Sequence, residues 1–405
     1  MGLWHRRSYV PEEKRLSREA VVTLVMQGLF LFGSTMSGTF MNLYLWRLTN
    51  SLWISGLFNI VTYAFTAVGF VVGGKLAKRK GLLTVYRLGI AFIALYYLVV
   101  VLTRESVAPY YALFGACLGF AGGLYWIGYW SITYVVSHDG NRLRFIGLAS
   151  LTSTIATLAA PLTSAAIFGV ADGLAGYAIV FGAAFVVFVL AALTSTRIRL
   201  APVRRKTYYL RHMIPLMRTN ADWRKAVLGN TLLGFKQGAL LFLPTLLVYQ
   251  VMQEENKVGY FNAALSLLSI AASYLFSRYA TERGARTYLL VTVTLYVAAA
   301  GSLVFGVTLS SVVAFMLVHT VCNPVKAGAF DGYYYRLIGS MPLKGELRVE
   351  TMVIREACWN TGRIAFVLLL VVFVNDLRAA GLAWFVLLTM ASQYALVALL
   401  DKPKR

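Results

Sequence analysis

Acidic residues are scarce in this chain, with sixteen Asp and Glu against 38 Lys and Arg in 405 residues. Charged residues of both signs make up only 13%, where a soluble domain carries about a quarter. That argues against a soluble enzyme, a nucleic-acid-binding module and a disordered chain. Cysteine is as sparse: Cys117, Cys322 and Cys358 all lie in apolar segments, with no CxxC spacing and no His/Cys cluster. Neither a disulfide framework nor a metal site is expected from them. P-loop, H-E-x-x-H, G-x-S-x-G and EF-hand patterns are absent, so an enzyme, a cofactor and ATP as energy source are not expected. A signal-peptide core is excluded as well, because the first apolar stretch runs on to about Trp46.

What is abundant is hydrophobicity, at 59% of the residues. A helix needs about 20 apolar residues to cross the hydrocarbon core. That window gives twelve candidate spans, near 20–46, 52–74, 86–103, 108–135, 145–170 and 175–195, then 226–250, 257–277, 288–307, 311–337, 350–374 and 380–400. The runs are continuous, whereas a β-barrel would show alternating segments of about ten residues. The expected fold is therefore an all-α membrane protein with twelve transmembrane helices.

With both termini inside, thirty of the 38 cations fall on the cytoplasmic side, and the outer loops keep only Arg47, Arg104, Lys257 and Arg378. This is the positive-inside distribution. It accounts for the basic excess without nucleic acid. The expected location is a bacterial cytoplasmic membrane, with membrane lipids as surroundings and a monomer as the working unit.

The chain also repeats itself. Gly56-Leu57-Phe58-Asn59 opens the second span, and Gly259-Tyr260-Phe261-Asn262 opens the eighth, 203 residues later. At the same offset, Gly74 to Gly81 matches Ser277 to Gly284, and Gly128-Tyr129-Trp130 matches Gly332-Tyr333-Tyr334 at 204. Two parallel six-helix halves are expected, 1–196 and 226–405, joined by a basic cytoplasmic linker, 197–225.

Twelve spans, a parallel six-plus-six repeat and a basic middle segment resemble the major facilitator superfamily. Gly74-Lys75-Leu76-Ala77-Lys78-Arg79-Lys80-Gly81 is similar to the family's 2–3 loop signature, G-x-L-A-D-R-x-G, with Lys78 in place of the acid. The resemblance implies a cytoplasmic gate there. The reversed charge suggests Glu346 or Glu350 facing Lys78 or Arg79, the alternative being a solvated cationic loop. Ala156 to Ala165, around Pro161, is similar to the family's exporter signature in span five, which implies antiport. Simple close packing of small residues is the alternative. Phe40 to Trp46, Gly123 to Trp126 and Arg355 to Arg363 resemble a bacterial branch of the superfamily. That likeness implies a mechanism class and not a cargo.

Ionisable residues inside spans mark function by default. Spans seven, ten and eleven hold Lys236, Lys326, Asp331, Arg355, Glu356 and Arg363. At 1.5 Å rise per residue, Lys236 and Lys326 lie roughly 16 Å deep and Arg363 roughly 20 Å deep, so the three are expected to meet near the midplane. Glu356, Asn360 and Arg363 share one helical face, as do Lys326, Tyr333 and Tyr334. The expected roles are an anionic substrate on Lys236, Lys326 and Arg363, and a coupling proton on Asp331 or Glu356. A structural ion-pair network between spans ten and eleven is the alternative. Asn360, Asn42, Gln237, Tyr125, Trp126, Tyr129, Tyr333 and Tyr334 are further candidate cavity residues.

The function expected from these features is secondary active transport by alternating access, most simply proton-coupled export of an amphipathic or aromatic organic anion. Uptake of a small anionic metabolite by symport, transport of an anionic lipid, and a non-transporting sensor or scaffold are the other readings.

Overall fold

In the computed structural model, the described residues are 15–138, 141–171, 173–200, 208–211, 215, 220–279, 285–339, 348–374 and 380–399. Among them a helix occupies the place of every expected span. These are α1 (Arg18–Thr49), α2 (Leu52–Lys80), α3 (Leu82–Thr103), α4 (Tyr111–Val136), α5 (Arg142–Val170) and α6 (Gly173–Ser195). There follow α7 (Ala221–Met252), α8 (Glu255–Tyr279), α9 (Ala285–Val304), α10 (Leu309–Gly339), α11 (Arg348–Phe373) and α12 (Ala380–Ser392), the last extended by a short α13 (Tyr394–Leu399). Eleven spans among the described residues are long and apolar enough to cross a membrane, and α10 adds the shorter apolar stretch Leu309–Pro324.

Local chemistry sets the ends. Ser17 Oγ accepts the Ala20 N–H at 3.1 Å and opens α1. Ser51 Oγ does the same for Ile54 at 3.3 Å in α2. Asn220 Oδ1 accepts the N–H groups of Asp222 and Trp223 at the start of α7. Within the spans, Thr62, Thr66, Ser131 and Ser164 donate to carbonyls one turn back, so their hydroxyls are satisfied without water. Large apolar side chains such as Leu113, Val186, Leu193 and Val372 cover the outside of the bundle, as a lipid-facing surface requires.

One expectation needs correction. The Gly74–Gly81 signature is not a loop: Lys75, Lys78, Arg79 and Lys80 form the last turns of α2. Lys and Arg are good helix formers and are favoured at a helix C-terminus. The turn is made by Gly81 alone, at φ +103°, in a region that side chains rarely adopt.

The amino-terminal helices are held by close backbone contact between α2 and α4. A Cβ on Gly119 would collide with the Thr62 carbonyl, and one on Gly123 with that of Thr66. In the carboxy-terminal part, α7 and α11 approach in the same way at Gly234, Gly238 and Gly362. The two groups of helices meet along α2 with α11 and along α5 with α8. Gly56 packs on Val367 and Val371 of α11, and Gly259 packs on Pro161 and Ala165 of α5. The two glycines matched by the 203-residue repeat thus do the same work at the two seams.

Candidate functional site

Between the two groups of helices lies a cavity of about 390 Å³. Its described wall on the amino-terminal side is aromatic and small: Phe30, Ser34 and Gly38 of α1, Thr62, Tyr63 and Thr66 of α2, and Trp126 and Trp130 of α4. Phe30 sits edge-on to Trp126 and to Phe188, and Phe188 stacks on Tyr97 with ring centroids 5.6 Å apart. Such pairs fix the ring planes. The opposite wall is one face of α11, carrying Glu356, Trp359 and Arg363.

Arg363 is held rigidly. Its Nε and Nη2 donate to Gln237 Oε1 of α7 at 3.0 and 2.5 Å, and Nη1 donates to Asn360 Oδ1 at 2.9 Å. The guanidinium carbon lies 5.4 Å from the Tyr63 ring centroid and 5.6 Å from that of Trp359, within cation–π reach. Trp359 is itself fixed, since Nε1 donates to Asn230 Oδ1 at 2.8 Å. Arg355 covers the Trp359 ring at 4.6 Å. The close approach of α7 and α11 at their glycines brings Gln237 and Asn230 to these partners. Glu356 lies two turns from Arg363 on the same face of α11. The site therefore presents a fixed guanidinium, a carboxylate and aromatic planes to one enclosed space.

Lys236 is not on that wall. It is 1% exposed, and its Nζ stands 3.6 Å from the centroid of Tyr296 in α9. The Tyr296 hydroxyl lies 3.1 Å from His319 Nδ1 of α10. Lys236 is thus not among the residues that line the cavity with Arg363. Gln237, next in sequence and about 100° around the helix, is the residue that faces Arg363. Tyr125 also leaves the expected set: it is fully buried, stacked between Phe30 and Tyr86. Tyr129 is 3% exposed and stacks on Tyr125. Asn42 accepts a hydrogen bond from Asn59 Nδ2 at 2.8 Å and ties α1 to α2. These three stiffen the amino-terminal helices behind the wall. Lys326, Asp331, Tyr333 and Tyr334 belong to α10, but their side chains lie outside the described residues, and so does Glu346.

Ion pairs join the two groups of helices near both ends of the bundle. At one end Lys78 Nζ lies 3.7 Å from Glu350 Oε1, and the Tyr209 N–H donates to the same oxygen at 3.1 Å. Tyr208 packs against Gly74: a Cβ there would come within 3.0 Å of its hydroxyl oxygen. Burial first, and the Glu350 carboxylate second, push the Tyr208 phenol well above its usual pKa, so it stays protonated. Leu210, Phe70, Ala77 and Val353 fill the space around the pair. Arg79 is exposed at this end.

At the other end, Arg47 Nη1 donates to Glu255 Oε1 at 2.5 Å and to Tyr249 Oη at 3.0 Å. The Tyr177 hydroxyl donates to the same Glu255 oxygen at 3.2 Å. The sequence reading did not find this cluster. Its only signal was Arg47 at the end of a span, set against Glu254 and Glu255 in a loop assigned to the same side. At both ends the cation comes from the first six helices and the carboxylate from the later ones.

Comparison with known proteins follows the fold. The chain is 24% identical over 355 residues to the protein YqgE of Bacillus subtilis (strain 168), covering 88% of this chain and 82% of that one. The structure of a bacterial metal transporter matches at a TM-score of 0.66 and 14% identity, covering 95% of this chain and 98% of that one. The D-xylose-proton symporter matches at 0.68 and 11%, covering 94% and 97%. At these identities the structures share a fold, and their different substrates leave the cargo open. The family model of the Major Facilitator Superfamily matches residues 23–365: the chain is a multi-pass membrane protein with a transporter fold and belongs to that superfamily.

Proposed function

We propose that this protein is a proton-coupled exporter of an amphipathic or aromatic organic anion, working by alternating access in a bacterial cytoplasmic membrane. In this reading twelve helices form two parallel six-helix halves with both termini in the cytoplasm. The observation that carries it is the cavity itself. An aromatic wall from the first half faces Arg363 and Glu356 of the second, and towards each end of the bundle an ion pair crosses between the halves.

Arg363 binds the anionic group of the cargo. Among the described residues its hydrogen-bond partners are neutral amides, so no carboxylate there already occupies the guanidinium that would take the anion. Trp126, Trp130 and Tyr63 take the apolar or aromatic body. Lys326 of α10 adds positive charge. Glu356 or Asp331 carries the coupling proton, its hold on that proton set by whether a cation partner is free beside it. Gly74, Lys78, Arg79 and Gly81 form the cytoplasmic gate with Glu350. Arg47, Glu255, Tyr177 and Tyr249 form the opposite one.

The test is flux in proteoliposomes preloaded with aromatic carboxylates and sulfonates. Efflux of at least one of them should be driven by outside acidification, fall to background with a protonophore, and disappear in Arg363→Ala. Efflux that ignores the proton gradient, or that persists in Arg363→Ala, contradicts the proposal.

A further inference from the structure

A second cavity, of about 400 Å³, opens on the flank of the amino-terminal helices. It lies where α3 ends and α6 begins, above Tyr44 of α1. Its walls are apolar: Val100, Val101, Leu174, Ile179 and Phe181. Charge enters only at the mouth, at Arg104 and Glu105, which open a short 3₁₀ turn after α3. Both are exposed, and among the described residues neither is in an ion pair.

Two features set this pair apart from ordinary solvated charges. Arg104 adopts φ +47°, a left-handed conformation that side chains other than Gly, Asn and Asp seldom take. In addition, both side chains line the same pocket as Tyr44, which is only 4% exposed, so the charges stand at the mouth of a pocket with a buried floor. The depth also fits a lipid. Leu174 to Phe181 spans two turns of α6, about 10 Å, which runs from the membrane surface into the hydrocarbon.

We propose that this flank pocket binds a phospholipid with a phosphate and a primary ammonium in its headgroup, phosphatidylethanolamine. The phosphate lies on Arg104, the ammonium on Glu105, and an acyl chain between α3 and α6. The guanidinium fork matches phosphate oxygens. A primary ammonium offers three N–H donors to the carboxylate, and a trimethylammonium offers none. An anionic headgroup without an amine, such as phosphatidylglycerol, would offer Glu105 only neutral hydroxyl donors, weaker than a charged ammonium. The site is separate from the central cavity. It shares α6 with Tyr177, whose hydroxyl reaches Glu255, so the lipid would brace the helix that holds that latch.

The test uses the full chain purified in detergent, with lipid retention followed by native mass spectrometry and melting temperature. The lipids compared are phosphatidylethanolamine, phosphatidylcholine and phosphatidylglycerol with identical acyl chains. Phosphatidylethanolamine should bind about tenfold more tightly than phosphatidylcholine, the worth of one charge-assisted hydrogen bond. Glu105→Gln should erase that difference, and Arg104→Gln should weaken phosphatidylethanolamine further. Phosphatidylcholine on the same protein samples serves as the control for folding. Equal binding of the three lipids, a preference for phosphatidylglycerol, or an unchanged preference in Glu105→Gln each overturns the proposal.

Discussion

The two halves of the molecule are held together by different means. In the first, α2 and α4 lie in backbone contact at Gly115, Gly119 and Gly123, and α1, α3, α4 and α6 enclose a stack of rings through Phe30, Tyr125, Tyr86, Tyr97 and Phe188. In the second, α7 and α11 also touch at glycines, but the groups that cross the contact are polar: Arg363 with Gln237, and Trp359 with Asn230. Ring stacks and glycine seams are specific in shape and indifferent to pH. A guanidinium held by amides keeps its charge and its position while a ligand comes and goes. The first half thus supplies a shaped wall, and the second supplies the chemistry. The two ion pairs across the contact divide the same way, since both carboxylates come from the later helices and both cations from the first six.

This division can be broken experimentally. The largest effect is expected at the buried gate, where Glu350 is 0% exposed. Removing one partner of a buried ion pair costs about 3–5 kcal/mol. Glu350→Gln should therefore shift the protein towards opening at the Lys78 end. Maleimide labelling of a cysteine placed at Met352, in a background without Cys117, Cys322 and Cys358, reads that opening. Exchanging the charges, Lys78→Glu with Glu350→Lys, should restore much of the closure, which a role confined to folding would not.

Next comes Arg363→Ala, which strands Gln237 Oε1 and Asn360 Oδ1 and removes the charge from the cavity. Loss of about 3 kcal/mol of charge-assisted bonding corresponds to roughly a hundredfold fall in transport, measured as kcat/KM on protein still folded at the assay temperature, with Arg363→Lys as the partner variant that keeps the charge.

The opposite gate should respond less. Arg47 is 37% exposed on its side chain and Glu255 11%, so the pair is half-wet, and its worth lies between about 0.2–1 kcal/mol for an exposed pair and about 3–5 kcal/mol for breaking a buried one. Glu255→Gln should therefore raise labelling of a cysteine at Met252 only a few-fold.

The smallest effect belongs to the wall. Trp126→Phe keeps an aromatic plane and trims its area. It should raise KM a few-fold at constant kcat, in line with about 0.5–1.5 kcal/mol for an aromatic contact. A larger loss in Trp126→Phe than in Arg363→Ala would reverse the assignment of wall and chemistry.

Much of this was legible in the sequence, for identifiable reasons. Hydropathy places the helices because a span needs one long apolar run. The face shared by Glu356, Asn360 and Arg363 follows from the helical angle alone. Lys78 facing Glu350 was among the pairings that the reversed charge in the signature suggested. Three things were not legible. Sequence fixes the angle between Lys236 and Gln237 but not which of them turns towards α11, so Lys236 was grouped with Arg363 and lies instead under Tyr296. Tyr125 and Tyr129 fall on a plausible stripe, yet the glycines of α4 draw that stripe inward against α2 and α3. Arg47 and Glu255 are 208 residues apart, and charges at span ends read as solvated until the fold brings them together.

The central claim is that the two ends open in turn around one cavity. Distances between spin-label pairs, one pair across α2 and α11 near Lys78 and one across α1 and α8 near Arg47, test it most directly. Measured in nanodiscs at acid and alkaline pH, with and without a transported anion, the two distances should change in opposite senses, one end widening as the other stays shut. Ends that widen together, or that stay fixed while flux proceeds, would contradict the account.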